Sequence, residues 1–265
     1  MRDPRTVAEV VSRLGWSESK LSRIETAHTG IRNRDLEKLL DVYEVSDQVR
    51  TRIRAIAGQA RQKAWWEAYG DALPNAYETY IGFEAEAVSL REFNATVVPG
   101  LLQTDEYAYA VLSVGPSDDP DVVGQHLSVR MARRAVLSRE PPLDLRVILD
   151  EAVVRREVGG REVMHRQIRW LVEMAKRPRI DLRILPFNAG AHPGLAGTFA
   201  ILDFAPRTEP PLVYCDGMTG GVFRHRNDEL QGYVDAFVAL QAAALSPEES
   251  EHFLMRLDAA GSSNH

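Results

Sequence analysis

Between Gly15 and Glu25 the chain reads Trp16-Ser17-Glu18-Ser19-Lys20-Leu21-Ser22-Arg23-Ile24, so hydroxyl, carboxylate, ammonium and guanidinium groups crowd around two aliphatic positions. This set suits recognition by hydrogen bonds and charge rather than bond-making chemistry. Arg23 could grip a guanine in bidentate fashion, Glu18 could accept from a cytosine amine, and Ser19 and Ser22 could reach either base edges or sugar-phosphate. A helix beginning after Ser17 would offer free backbone amides to a phosphate, with Lys20 supplying charge beside it. Leu21 and Ile24 fall three apart, so one face can be buried while the polar set stays in solvent.

Other constellations are weaker. Trp65, Trp66, Tyr69, Tyr77, Tyr80 and Phe83 are read either as a junction core or as the lining of a pocket for an apolar or planar ligand. His192 sits in the run 187–197, with Gly190, Gly194 and Gly197 around Pro193. That run reads as a strand connection that could also cover a pocket, with His192 as its candidate ligand contact. Asp150 and Glu151 are neighbours at the end of an expected strand, where successive side chains diverge, which argues against a shared acid-base site. The seven histidines show no H-x-x-x-H spacing, and no G-x-x-x-x-G-K or G-x-G-x-x-G run appears. The single cysteine, Cys215, excludes an internal disulfide and any metal centre built from several cysteines, and is expected to be a small buried hydrophobe in a strand. No catalytic residue, metal or cofactor is therefore expected, and the enzyme reading is the less favoured one.

Holding the first set in place takes two short helices. Thr6-Val7-Ala8-Glu9 has the form of a capping box, Val7, Val10, Val11 and Leu14 follow at helical spacing, and Gly15 can leave the helix with positive φ. This predicts a helix over 6–14, a tight turn, and a second helix over 17–25 with Ser17 as its N-cap, the order of a helix-turn-helix. Further helices are predicted at 33–43, capped by Asn33, and at 46–63, capped by Ser46. Beyond residue 65 the pattern turns mixed. Helices are expected at 82–93, 103–113, 121–139, 160–175, 227–243 and 247–258, and strands at 144–149, 180–185, 198–204 and 211–215. The fold class is α+β: an all-α helix-turn-helix head over 1–64 and a larger mixed α/β domain over 65–265.

The chain has 265 residues, 45% hydrophobic and 26% charged, and the composition excludes disorder and a coiled-coil rod. No apolar stretch is long enough for a membrane span and the N-terminus opens no secretory signal, so a cytoplasmic protein without membrane contact is expected. Residues 1–64 carry 13 Lys and Arg against 9 Asp and Glu, while the remaining 201 residues carry 19 against 29. A basic head and an acidic body suit different partners, since phosphate attracts the first and repels the second. Arg outnumbers Lys by 28 to 4, the bias of a high-GC coding sequence.

The run Leu14-Gly15-Trp16-Ser17-Glu18-Ser19-Lys20-Leu21-Ser22-Arg23-Ile24-Glu25 resembles the recognition element of the XRE family, the lambda-repressor-like helix-turn-helix proteins. The resemblance implies base contacts for Glu18, Ser19, Ser22 and Arg23, and backbone or groove-edge contacts for Ser17 and Lys20. Such heads have five helices, and only Met1 to Arg5 precede the capping box, so the first helix is expected to be missing. Glu25 then lacks its usual arginine partner, for which Arg2 or Arg5 could substitute, and Val7 stands where a phosphate-contacting glutamine is common. From Trp65 onward, four runs resemble the large domain of unknown function that follows this head in actinobacterial, toxin-antitoxin-like regulators: 65–71, 99–108, 147–152 and 185–194. The expected protein is thus a homodimeric, sequence-specific regulator on double-stranded DNA. Its C-terminal domain would sense a small-molecule effector or bind a small neighbour-encoded protein. The alternative is a relative that has lost DNA binding and binds or transforms a small molecule.

Overall fold

The structure, a computed structural model, describes residues 6–25, 31, 33–46, 49–50, 53, 75–115, 119–205, 211–217 and 220–262. It divides into two compact units, Met1–Gly82 and Phe83–His265. The boundary at 64/65 expected from sequence falls within 54–74, outside the described residues.

In the first unit, α1 (Val7–Leu14) opens with the expected capping box: Glu9 donates its amide to the Thr6 hydroxyl and its carboxylate accepts from the Thr6 amide at 2.8 Å. Gly15 ends it at φ 66°, a left-handed conformation that a side chain would disfavour. After two residues α2 (Glu18–Glu25) begins, and α3 (Asn33–Val42) follows. Val10, Leu14, Leu21, Leu39 and Val42 form one small core, with Trp16, Ile24 and Ile31 packed partly against it. The end of α3 is tied down by Arg50. Its guanidinium donates to the carbonyls of Leu40 and Val45, both at 2.9 Å, and pairs with Asp41 at 2.7 Å, satisfying carbonyls that the helix leaves open. Residues 49, 50 and 53 are helical, inside the expected span 46–63.

Helix α4 (Asn75–Glu86) contains the point of division, and the second unit is built on a six-stranded sheet. Along the chain come β1 (Ser89–Asn94), α5 (Asp105–Leu112), α6 (Pro120–Ala132), β2 (Asp144–Asp150), α7 (Glu151–Arg155), α8 (Arg161–Ala175) and β3 (Ile180–Leu185). They are followed by β4 (Phe199–Asp203), β5 (Leu212–Cys215), β6 (Val222–Arg224), α9 (Asn227–Ala243) and α10 (Pro247–Ser262). The strand order is β3-β2-β1-β4-β5-β6. β1, β2 and β3 run parallel, whereas β4, β5 and β6 alternate antiparallel from the other side of β1. One face of the sheet presents Phe93, Ile148, Leu185, Phe199, Ile201 and Val213, and Leu230, Phe237 and Leu240 of α9 cover it. α8 and α10 pack on each other and on β3.

Three sequence expectations need correction. The helix expected over 82–93 ends at Glu86, and 89–94 is the central strand. β1 pairs on both sides and is buried on both faces, so Ser-Leu-Arg-Glu-Phe-Asn lacks the alternation that marks a half-exposed strand. Its Arg91 is held by Asp203 across the ladder at 3.1 Å. Second, Glu151 does not continue a strand. Asp150 ends β2 and accepts from the Ala152 amide at 2.8 Å, capping the short α7. Third, α6 stops at Ala132, and a 3₁₀ turn, Arg133–Leu137, replaces the rest of the helix expected to reach 139.

Buried polar groups brace the helices. Arg133 grips Glu84 through two nitrogens, at 2.8 and 2.6 Å, with side-chain exposures of 6% and 1%. Gln167 donates to the Leu102 carbonyl and accepts from the Thr104 amide, each at 2.7 Å, while Gln103 donates to the Val98 carbonyl. The Val98 amide donates to the Tyr107 hydroxyl at 3.1 Å, and burial pushes that phenol's pKa up. The β3 edge of the sheet is also closed: Ile184 donates its amide to the Ser250 hydroxyl and its carbonyl accepts from Leu245, both at 2.9 Å. Removing one member of a buried pair leaves an uncompensated charge, so Glu84→Ala should cost about 3–5 kcal/mol in urea denaturation. A loss below about 1 kcal/mol would show that the pair does not brace this unit.

Candidate nucleic-acid interface and cleft

Ser17 caps α2, its hydroxyl accepting from the Lys20 amide at 3.2 Å. Leu21 is 1% exposed and Ile24 half-buried, which turns both aliphatic side chains into the core of the unit. Ser17, Glu18, Ser19, Lys20, Ser22 and Arg23 are all exposed. They are not equally available. Lys20 pairs with Asp35 of α3 at 2.9 Å and lies 4.0 Å from the centre of the Trp16 ring, so its charge is largely spent inside the unit. Arg23 has no ion-pair partner among the described residues. The helix thus shows solvent a short face of carboxylate, hydroxyls and one guanidinium, on a rod about 10–12 Å across with its side chains. A B-DNA major groove is about 12 Å wide.

The second unit carries a cleft of about 380 Å³ lined by residues of three segments: Pro193 to Phe199, Cys215–Asp216 at the end of β5, and Glu229, Gly232, Tyr233 and Ala236 of α9. Phe199 and Tyr233 stand 5.2 Å apart between ring centres. The Cys215 thiol and the Tyr233 hydroxyl share a hydrogen bond at 3.2 Å, and this contact, with burial, holds the phenol's pKa above its ordinary value. The loop that leads into the cleft is packed tightly. A side-chain carbon on Gly194 would come within 2.3 Å of the Phe93 ring, which already meets the His192 ring edge-on at 5.8 Å. His192 is 9% exposed, with Nε2 3.8 Å from Asp150 and no partner for its buried Nδ1 among the described residues.

A helix-turn-helix domain model matches residues 2–53, and the model of a domain of unknown function, DUF5753, matches residues 77–256, well over half of the chain. The chain belongs to the DUF5753 family. No curated protein matches it. In this DUF5753 member the matched helix-turn-helix segment contains α1 and α2, and the family segment contains the whole sheet with α9 and the cleft.

Of the residues singled out as a pocket, Tyr77, Tyr80, Phe83 and His192 are among the described residues. Trp65, Trp66 and Tyr69 lie outside the described residues. Tyr80 is buried at 4% exposure and is not among the residues lining the cleft. His192 does not line the cleft either; it immediately precedes the Pro193 that does. Cys215, expected as a buried hydrophobe, is half-buried with its thiol bonded in the cleft wall. Asp216, Glu229, Gly232 and Tyr233 were not singled out from the sequence at all. One signal was present: a glycine inside the strong helical pattern of 227–243, where it weakens the helix unless it has another use. Two substitutions test this geometry. Gly15→Ala should cost about 1–2 kcal/mol through backbone strain alone, since nothing lies within 4 Å of the added carbon; a melt unchanged from the parent would refute the strain. Gly194→Ala must displace the loop from Phe93 and should cost about 1–3 kcal/mol, read as a lowered melting temperature; an unaltered one would show that the loop gives way freely.

Proposed function

We propose that this protein is a sequence-specific DNA-binding transcriptional regulator of the XRE type, in which α2 enters the major groove. Glu18, Ser19, Ser22 and Arg23 would meet base edges, and Ser17 with the α2 amides would meet a phosphate. The observation that supports this most directly is the division of α2 into an inward pair, Leu21 and Ile24, and an exposed polar face that ends in Arg23, which has no ion-pair partner among the described residues. Lys20, tied to Asp35, serves chiefly to fix α2 against α3. One helix reads too few base pairs for genomic specificity, so the regulator acts as a homodimer on a pseudo-palindrome in the cytoplasm. The acidic second unit receives the signal, from a small-molecule effector or from a small partner protein encoded nearby. The Arg-rich, Lys-poor composition fits an actinobacterial source.

A second reading, a ligand-binding relative without a DNA target, is favoured by one observation, the 380 Å³ cleft in the acidic unit. Selection of bound duplexes from a random pool separates the two. The regulator reading expects a two-fold motif, and Arg23→Ala should weaken binding to it by about 1–3 kcal/mol and relax one base position. No enriched motif, or an Arg23→Ala affinity equal to the parent's at matched salt, would overturn it.

A further inference from the structure

We propose that the cleft between the Pro193–Phe199 loop, the end of β5 and α9 binds a small organic cation with a flat apolar body, an aromatic amine in its simplest form. This deepens the ligand-receiving role proposed for the second unit and does not require α2 to bind DNA. The volume, about 380 Å³, lies within the about 300–1,000 Å³ usual for small-molecule sites. Phe199 and Tyr233 give two aromatic walls inclined at 58°, and Pro193, Ala196 and Ala236 add apolar surface, which suits a planar body.

Charge selects the ligand's sign. The lining holds Asp216 and Glu229 and no Lys or Arg. Arg224 approaches Glu229 only to 3.6 Å at Oε1, and Asp216 uses Oδ1 for the Tyr214 hydroxyl and the Gly217 amide. Each carboxylate keeps its second oxygen without a hydrogen-bond partner among the described residues. The Tyr233 hydroxyl, hydrogen-bonded to Cys215, stands in the same wall and adds a polar group beside the carboxylates.

Gly232 is the independent sign that the space is kept for an occupant. It lies inside α9, where glycine is among the poorest helix formers. A carbon added there would meet nothing within 4 Å, so close packing does not demand it. What the missing side chain does is leave the cleft wall open.

The test uses the full chain with phenethylamine and phenylacetate as probes of one body and opposite charge, observed by saturation-transfer NMR. Phenethylamine should bind saturably at millimolar concentration and phenylacetate about tenfold more weakly. Glu229→Gln should shrink that difference to about threefold or less. Gly232→Leu, which fills the void, should abolish binding while its melting temperature stays at or above the parent's; if it melts lower, Ala236→Leu, filling the same space from the next turn, replaces it. Phenethylamine should also slow alkylation of Cys215, the chain's single cysteine, by iodoacetamide. Equal binding of the two probes, no binding of the amine, or binding that survives the filled cleft overturns the proposal. Duplex binding by the same protein, read by fluorescence anisotropy, reports separately on the regulator reading.

Discussion

Backbone pairing on both edges of β1 is the constraint on which the second unit depends. Six residues, Ser89–Asn94, bond in parallel to β2 on one side and antiparallel to β4 on the other, so the sheet changes character at this one strand. Parallel neighbours require crossovers, and these supply α5, α6 and α8. Antiparallel neighbours need only loops, but the connection from Pro186 to Thr198 joins β3 to β4, which are not neighbours, and carries the chain from the β3 edge past the ends of β2 and β1. Phe93 is central to that connection. Its ring meets Ile148 and Phe199 in the core, and the loop lies so close over it that position 194 has no room for a side chain. The cleft beside this loop is therefore a product of the strand order rather than of any one segment.

The first unit follows a different economy. Among the described residues it rests on one cluster of five aliphatic side chains and on devices at the helix ends: a capping box, a left-handed glycine, an N-cap serine and the Arg50 clasp on the end of α3. Each fixes a helix terminus, and together they set the angle at which α2 presents its polar face. The Trp16–Lys20–Asp35 contact belongs to the same scheme.

The caps and the glycine turn are short-range, which is why they were legible in the sequence, whereas the Arg50 clasp and the Lys20–Asp35 pair span ten and fifteen residues and were not. The capping box at Thr6, the turn at Gly15 and the cap at Ser17 are all encoded within four residues of where they act. Strands β2, β3, β4 and β5 were readable as well, because Leu, Ile and Val cluster between Pro and Gly. β1 was not: its Arg91 and Glu92 are matched by partners more than a hundred residues away or buried by the fold, and local patterning contains no trace of that. The cleft was illegible for the same reason. Cys215, Glu229 and Tyr233 meet only after β5 and α9 pack together.

The closure of the β3 edge has a consequence for association. An open sheet edge invites a strand from another molecule, and here the Ser250 hydroxyl and the Leu245 amide occupy both backbone groups of Ile184, the last residue but one of β3. The opposite edge, β6, offers only three residues. A second copy that paired with β3 would have to stop short of Ile184 or displace the Ser250 and Leu245 contacts, which disfavours extending the sheet at this edge from one molecule into the next.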